Sequence, residues 1–542
     1  MPISGTKHPA SPQSTPPAAP HPIHPALPQL IEARRLIIAT NRGPVEYYLT
    51  ADHTLKSRRG AGGMVTALTD VGNRMDVTWV AMAMTEGDRI AFRDAQKHTD
   101  GLLPSPIRGQ NMELRYVAIP KKAYRKYYEE ISNRLLWFLQ HYMYDPREDS
   151  INDQKIQDAW ENGYVVANQA IADAINAEIE RQDTIPVVML HDYHLYLAPA
   201  MIRKRHQTIA MQQFIHIPWP DVRCWHFLPS NIAQAIYTGL VGNDIIGFQT
   251  ERDARNFLEG ARTLLDGAVV DFEEGAIWWQ GHRTQARAYP ISISVTEERS
   301  VIQSRAGKRA ATKILPLLGE QTIMRVDRIE PTKNILKGFQ AYARMLDDHP
   351  ELVGKVKFLA FLVPSRQSLP EYKRYNSDVL KIIDDINLKY GNDEWQPIHA
   401  FTADNDRTRA LAAMRFYDVL LVNPIIDGMN LVAKEGPVVN DRNGILVLSR
   451  TAGAFQQLGK ASIPTSPTDV VETAEALYKA LTLSPGERRA KSTLARHIVE
   501  RNDLHVWLSR QINDINDLLA RILPQTTTNA ETGRTPAAAS VG

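Results

Sequence analysis

The stretch YDVLLVNPIIDGMNLVAKE, residues 417–435, runs from an apolar segment straight into an acid, a glycine, an amide, a lysine and a second acid. A short run that is apolar on both faces reads as a parallel strand covered by helices, and in open α/β sheets ligands collect beyond the carboxyl ends of such strands. The polar groups of this stretch therefore stand where a ligand would. The same pattern recurs on either side of it. RRLIIATNR, VTWVAMA, IPVVMLHDY, MQQFIHIP and NDIIGFQT read as one series of strands; QTIMRVDR, VKFLAFLVP, YDVLLVNP and GILVLS form a second series after YPISIS. Helical patterns such as YVVANQAIADAINAEIE separate them. The expectation is α/β, with two doubly wound domains joined near residues 291–295 and covering 32–292 and 293–500. A helix over 501–524 is expected to pack across the domains. Residues 1–31 are expected to be a disordered, proline-rich arm, and 525–542 a small, polar, disordered tail. No repeat at a period of about 20 to 50 residues suggests a solenoid or propeller.

With 542 residues the chain exceeds one hydrophobic core. Its 63 basic and 61 acidic side chains nearly cancel, which argues against a broad nucleic-acid or anionic-membrane surface, so any anion must be met locally. A lone cysteine, Cys224, excludes an intramolecular disulfide or a cysteine-based zinc site and fits a cytoplasmic, reducing location. Apolar runs such as VKFLAFLV are too short to span a bilayer, and no export signal is evident.

Several polar clusters follow apolar runs: TNRGP at 40–44, HDYHL at 191–195, HIPWP at 216–220, VDRIEPTK at 326–333 and VPSR at 363–366. RRGAGGMVTAL, 58–68, is a glycine loop entering a helix, able to hold a phosphate on free N–H groups; without the spacing or lysine of a P-loop, a plain turn competes with that reading. If a helix begins near Asn430, the N–H groups of residues 429–432 face an anion, Asp427 can accept from sugar hydroxyls, and Glu435 points towards a ribose diol. An N-cap on a salt-bridged surface helix is the alternative. Arg328 and Lys333 flank IEPT, whose proline predicts a rigid loop from which both cations can converge on a diphosphate; solvated loop charges are the competing reading. His191 and His194 point to opposite faces if their strand continues, so His194 reads as a hydrogen-bonding residue rather than a metal ligand. Asp404, Asn405 and Asp406 form a D-x-D whose position before a helix favours capping over metal binding. Tyr128 and Trp137 read as core aromatics of an amphipathic helix, with a sugar platform as the alternative.

Taken in order, HDYHL, HIPWP, GFQTERDARNFL and DGMNLVAKE resemble the trehalose-6-phosphate synthases, retaining glycosyltransferases of a family (glycosyltransferase family 20) that also holds glucosylglycerol-phosphate and validoxylamine-phosphate synthases. The resemblance runs over residues 36–519. It implies a GT-B fold, two Rossmann-like domains facing a deep cleft. It further implies that Gly62 and Gly63 cover the donor phosphates, that His194 and Asp427 hold the transferred glucose, and that Arg328 and Lys333 grip the diphosphate. Glu435 matches the ribose ligand, Asn430, Leu431 and Val432 supply backbone contacts, and Arg42, Tyr128, Trp137 and Arg366 match the glucose 6-phosphate positions. Two departures lie near the acceptor. Met82 stands where members often carry tryptophan, and AWENGY has an extra residue, so Glu161 or Asn162 takes the place of the acceptor-binding acid.

The implied reaction moves glucose from UDP-glucose or another NDP-glucose to glucose 6-phosphate, giving trehalose 6-phosphate, with no metal and no cofactor. The implied partners are a nucleotide-sugar donor and a sugar-phosphate acceptor, with no nucleic acid and no membrane; a homo-oligomer stays open. The alternatives are a sister transferase with another acceptor, motivated by Met82 and the segment around Trp160, and a non-catalytic phosphosugar sensor, against which Arg328, Lys333 and Asp427 argue. A dinucleotide dehydrogenase fits less well, because the glycine loop is wrong for it.

Overall fold

Runs covered on both faces pair in parallel, and here they build two sheets. The computed structural model describes residue 31 and residues 34–59, 76–104, 107, 111–145, 153–402 and 406–522. In the first lobe the parallel strands lie in the spatial order Met112–Val117, Val77–Met82, Leu36–Thr40, Val187–His191, Ala210–Phe214, Ile245–Phe248 and His282–Ala288. Antiparallel strands finish both edges, Leu102–Pro104 on one side, Ala276–Trp279 and Val269–Asp271 on the other. The second lobe is parallel throughout: Ile398–Phe401, Val356–Pro364, Gln321–Ile329, Val419–Val422, Ile445–Ser449 and Ile463–Thr465.

Each of the expected strands is present, and both lobes are doubly wound. Elements not expected from the sequence lie mostly towards the edges of the sheets or outside them, where one face is polar and the apolar run is broken. HRTQARA, residues 282–288, is one example; the hairpin of Val45–Leu49 with Leu55–Arg59 is another. In the first sheet the strand order reverses between Leu36–Thr40 and Val187–His191, and in the second between Gln321–Ile329 and Val419–Val422. Crevices open at such switch points, beyond the carboxyl ends of the strands. Those ends carry Arg42 and His194 in one lobe, Lys333 and Asp427 in the other.

The lobes share apolar packing. One buried cluster runs from Leu36 and Trp79 through Tyr289 and Ile293 to Leu420 and Leu448. The final helix, Leu504–Ile522, packs back on the first lobe: Trp507 meets Phe214 edge-on at 5.4 Å, and Gln511 accepts from Gln212 at 2.7 Å. Ile31, assigned from the sequence to the disordered arm, is instead buried against this helix, with its N–H donating to Asn516 at 2.9 Å. This isoleucine finds a covered site that the prolines before it conceal from a compositional reading. The rest of the arm and the tail from 523 lie outside the described residues.

The linker between the lobes is held from both sides. The Ile291 N–H donates to Gln249 of the first lobe at 3.0 Å, and its carbonyl accepts from Lys434 of the second at 2.5 Å. Lys434 is 1% exposed, and burial pushes its amine down to about 7. Among the described residues no helix is long and apolar enough to cross a membrane.

Candidate active site

The stretch that opened the sequence analysis forms a loop between the strand Val419–Val422 and the helix Val432–Val439. That helix starts two residues later than expected, because Asn430 adopts φ 76° and cannot begin it. Glu435 therefore lies in the first turn, not the second. Gly428 is required here: a Cβ would fall 2.2 Å from the His216 carbonyl oxygen, so the loop lies against the HIPWP backbone of the other lobe. Asp192 at φ 71° and Arg366 at φ 45° are further non-glycine residues in left-handed backbone at the mouths of these strands. Such strain collects where surrounding structure holds a site in place.

Arg328 stands on the strand Gln321–Ile329 itself rather than on a loop, and Pro331–Lys333 is a single 3-10 turn with the proline at its start. The ladder to Val356–Pro364 continues through Ile329, which overrides the punctuation expected of Pro331. Lys333 is ion-paired with Asp427, which also accepts from Asn430 at 3.1 Å. Burial acts against the charge of both partners, yet Asp427 and Glu330 raise the Lys333 amine, and Lys333 holds the Asp427 carboxyl below its usual range.

Glu330, fully buried between the two expected cations, ties the constellation together. It accepts from Arg328 at 2.9 Å and pairs with Arg366 at 3.4 Å. Burial pushes its carboxyl up, but Arg328, Arg366 and Lys333 outweigh that and keep it below the ordinary value. Arg366 crosses to the first lobe: its guanidinium lies 4.0 Å over the Trp137 ring and 3.4 Å from the Tyr193 hydroxyl, and it donates to Tyr372 at 2.6 Å. Arg328 lies 5.9 Å from the same Trp137 ring.

Trp137 stacks on His141 at 4.1 Å, and Tyr128 stacks on His194 at 5.9 Å with 14° between the planes. Both rings come from residues 121–140, one continuous helix widened to π-helical turns over Lys126–Leu136. The strand preceding His194 ends at His191, and His194 sits in the turn Tyr193–Leu195, so the alternation expected of a continuing strand does not apply. Its Nε2 is buried and has no hydrogen-bond partner among the described residues. Burial, then Arg366 and Arg42, push its imidazole down to about 3.

Not every expected residue joins this group. Arg42 is exposed and acts on His194 through its charge. Glu435 lies with Glu298 and Arg407, 3.9 Å from the Arg407 guanidinium that pairs with Glu298. Burial raises the Glu435 carboxyl and, with the Glu435 charge, lifts that of Glu298 to about 7. Leu431 and Val432 open the helix that carries Glu435. Glu161 does not belong with the cleft residues: it and Asn162 are exposed, and Asn162 donates to Asp158 at 2.9 Å. The π-helical turns Trp160–Val165 take up an additional residue in this segment and leave both side chains outward. Met82 is buried in the core. Gly62, Gly63, Asp404 and Asn405 lie outside the described residues; Asp406 caps Arg407–Met414, accepting from the Arg409 N–H at 3.0 Å.

The sequence reading missed Glu330, His141, Tyr193, Tyr372, Glu298 and Arg407. Only Glu330 carried a signal, as an acid set between two cations that converge; the others are brought in by tertiary packing.

Burial also pushes His216, whose Nε2 lies 3.3 Å from Nδ1 of His191, down to about 3. A group with so low a folded value contributes stability above its unfolded value of 6.5 and loses it as pH falls towards 3. In His216→Gln the loss of unfolding free energy between pH 7 and pH 5 should shrink by about 2 kcal/mol. Urea unfolding of both proteins at the two pH values checks this; equal losses contradict it.

Comparison with known proteins agrees with this fold. The chain is 32% identical over 401 residues to the trehalose-6-phosphate synthase of Cronobacter sakazakii, covering 73% of this chain and 81% of that protein. It is 28% identical over 455 residues to the validamine 7-phosphate valienyltransferase of Streptomyces hygroscopicus subsp. jinggangensis, covering 84% and 88%. The solved structure described as "Trehalose-6-phosphate from E. coli bound with UDP-2-fluoro glucose" superposes with a TM-score of 0.75 at 26% identity, over 89% of this chain and 99% of that one. The glycosyltransferase family 20 model matches residues 34–517, and the chain belongs to that family.

Proposed function

We propose that this GT-B glycosyltransferase moves glucose, with retention of anomeric configuration, from UDP-glucose or another nucleoside-diphosphate glucose to glucose 6-phosphate, forming trehalose 6-phosphate. The observation that carries the reading is the pair Arg328 and Lys333 at the switch point of one lobe, with Arg366 presented across the cleft to Trp137 of the other. When the anomeric bond breaks, electrons pass to the departing diphosphate while the sugar becomes oxocarbenium-like. Fixed cations at the leaving group lower that barrier because they need no reorganisation. In this reading the leaving phosphate accepts the proton of the acceptor hydroxyl on the same face, so no general base is assigned.

The remaining roles follow from placement. Asp427 and His194 hold the transferred sugar; the neutral imidazole offers Nε2 as a partner for a hydroxyl. Glu435 takes the ribose diol, the backbone of Asn430, Leu431 and Val432 lies beside the nucleotide, and Gly62 with Gly63 covers its phosphates. Arg366 and Arg42 meet the acceptor phosphate, since a dianion in a cleft needs charged and preferably bidentate partners. Tyr128 and Trp137 provide the sugar platform. Arg328 and Lys333 supply the charge at the diphosphate, so no resident metal or cofactor is assigned. Action in the cytoplasm belongs to the same reading, a reducing compartment suiting a chain with one cysteine, Cys224.

The valienyltransferase relative, together with Met82 and the widened turns at Trp160, favours a second reading in which the acceptor is a different phosphorylated cyclitol or polyol. Product analysis with glucose 6-phosphate, glycerol 3-phosphate and valienol-type acceptors separates the two. A phosphorylated disaccharide from glucose 6-phosphate is the expected product. Its absence beside turnover of another acceptor selects the second reading, and absence of turnover with all of them leaves a sensor.

A further inference from the structure

The helix over residues 121–140 presents a second, charged face. Tyr124 and Tyr128 form the stripe that leads to His194, with ring centroids 5.5 Å apart and planes 15° apart. Lys122, Lys126 and Glu130 form another stripe, offset by two residues and therefore turned to a different side. That side opens on a cavity of about 480 Å³, a volume within the range of small-molecule sites. Lys121, Lys122, Arg125, Lys126 and Lys155 line it, against the carboxylates of Glu130 and Asp158. In a chain whose charges nearly cancel, five cations facing two acids is a local excess.

The cations are only partly satisfied. Lys126 pairs with Asp158 at 2.6 Å, Lys121 with Glu86 at 3.1 Å, Lys155 with Glu130 at 3.5 Å and Arg125 with Glu129 at 3.6 Å, while Lys122 makes no ion pair among the described residues. Solvent-exposed pairs contribute little, so an incoming phosphate that accepts several charge-assisted hydrogen bonds displaces them readily. We propose that this cavity is a second anion site, distinct from the catalytic cleft, which takes a ligand bearing at least two phosphate charges and whose occupation loosens the contact between the lobes.

The link to the lobes is a chain of ion pairs. Glu130 lies 3.5 Å from Lys155 and 3.8 Å from Arg134, and Arg134 lies 3.4 Å from Glu371 in the first turn of Pro370–Tyr390, in the second lobe. An anion that draws Lys155 away leaves the Glu130 carboxylate free to compete with Glu371 for Arg134. Trp137 and Arg366 meet across the same part of the cleft, so weakening the Arg134–Glu371 pair there raises the KM for the acceptor and leaves kcat at saturation unchanged.

The binding arm stands whether or not the acceptor has been assigned correctly. Inorganic pyrophosphate and a sugar bisphosphate are titrated calorimetrically into the full chain carrying Arg328→Ala, which removes one of the two cations expected to grip a diphosphate in the cleft. Saturable binding of either probe is expected, weakened by about ten-fold or more when Lys122→Glu and Lys155→Glu are added. The tighter probe tells whether a sugar skeleton contributes. No binding of either up to about 10 mM, or equal affinity after charge reversal with an unchanged circular dichroism spectrum, overturns the site. In the second arm the tighter probe is added to wild-type enzyme at saturating donor. The acceptor KM should rise about three-fold or more, and Lys122→Glu/Lys155→Glu should abolish the increment. An equal increment in that variant assigns the effect to the cleft and overturns the coupling.

Discussion

Arg328→Ala should lower kcat by about two orders of magnitude, equivalent to about 3 kcal/mol of barrier, while the melting temperature stays close to that of the wild type. The two effects separate because the Arg328 side chain is 50% exposed. Its partner Glu330 keeps Arg366 at 3.4 Å and the nearby charge of Lys333, so the truncation leaves no buried carboxylate without a cation. What is removed is one arm of the proposed positive clamp at the carboxyl end of Gln321–Ile329. Arg328→Lys should recover part of the rate, since it restores charge without the planar fork. Nucleoside-diphosphate release followed alongside thermal melts decides the matter. Unchanged kcat/KM, or a loss of activity accounted for by unfolding, removes Arg328 from the leaving-group role.

Lys333→Ala should have a different signature, because the amine proposed to grip the leaving group also carries stability. Lys333 is 14% exposed, its partner Asp427 is 16% exposed, and Asp327 and Glu330 add negative charge beside them. Deleting the cation strands the Asp427 carboxylate in a buried acidic surrounding, a change that typically costs about 3 to 5 kcal/mol. The single variant should therefore lose turnover and a large part of its unfolding free energy. Lys333→Ala/Asp427→Asn should recover much of the stability, because the uncompensated charge is gone, but none of the turnover. Urea unfolding of the two single variants and the double variant forms a thermodynamic cycle. Additive losses would show that the pair is not coupled and that Lys333 is placed for catalysis alone.

The strands legible in the sequence were those buried on both faces, from LIIAT at 36–40 to ILVLS at 445–449, since covering both faces leaves a continuous apolar run. Strands towards the edges such as Met112–Val117 and His282–Ala288 were not, because partial exposure returns polar residues to the pattern. Of the candidate site, the residues just beyond strand ends stood out by position alone: His194, Asp427, Lys333 and Arg366. Local boundaries were misread where tertiary pairing prevails over punctuation. Arg328 remains in a strand despite Pro331, and the helix after Asp427 waits until Val432 because Asn430 is left-handed. Glu161 was misplaced for a related reason, an additional residue being taken up within a helix by π-helical turns rather than carried into the cleft.

The order of apolar runs in the chain by itself determined that two parallel sheets form and which loops lie at their carboxyl ends, because burial on both faces and the length of each run leave few other ways to cover the apolar surface. Only the tertiary structure decided which of those loops meet. Arg366 over Trp137, Gly428 against the His216 carbonyl and the Ile291 peptide held between Gln249 and Lys434 are contacts between segments far apart in the chain. Such contacts depend on how the two lobes pack, a long-range arrangement with no local periodicity to record it.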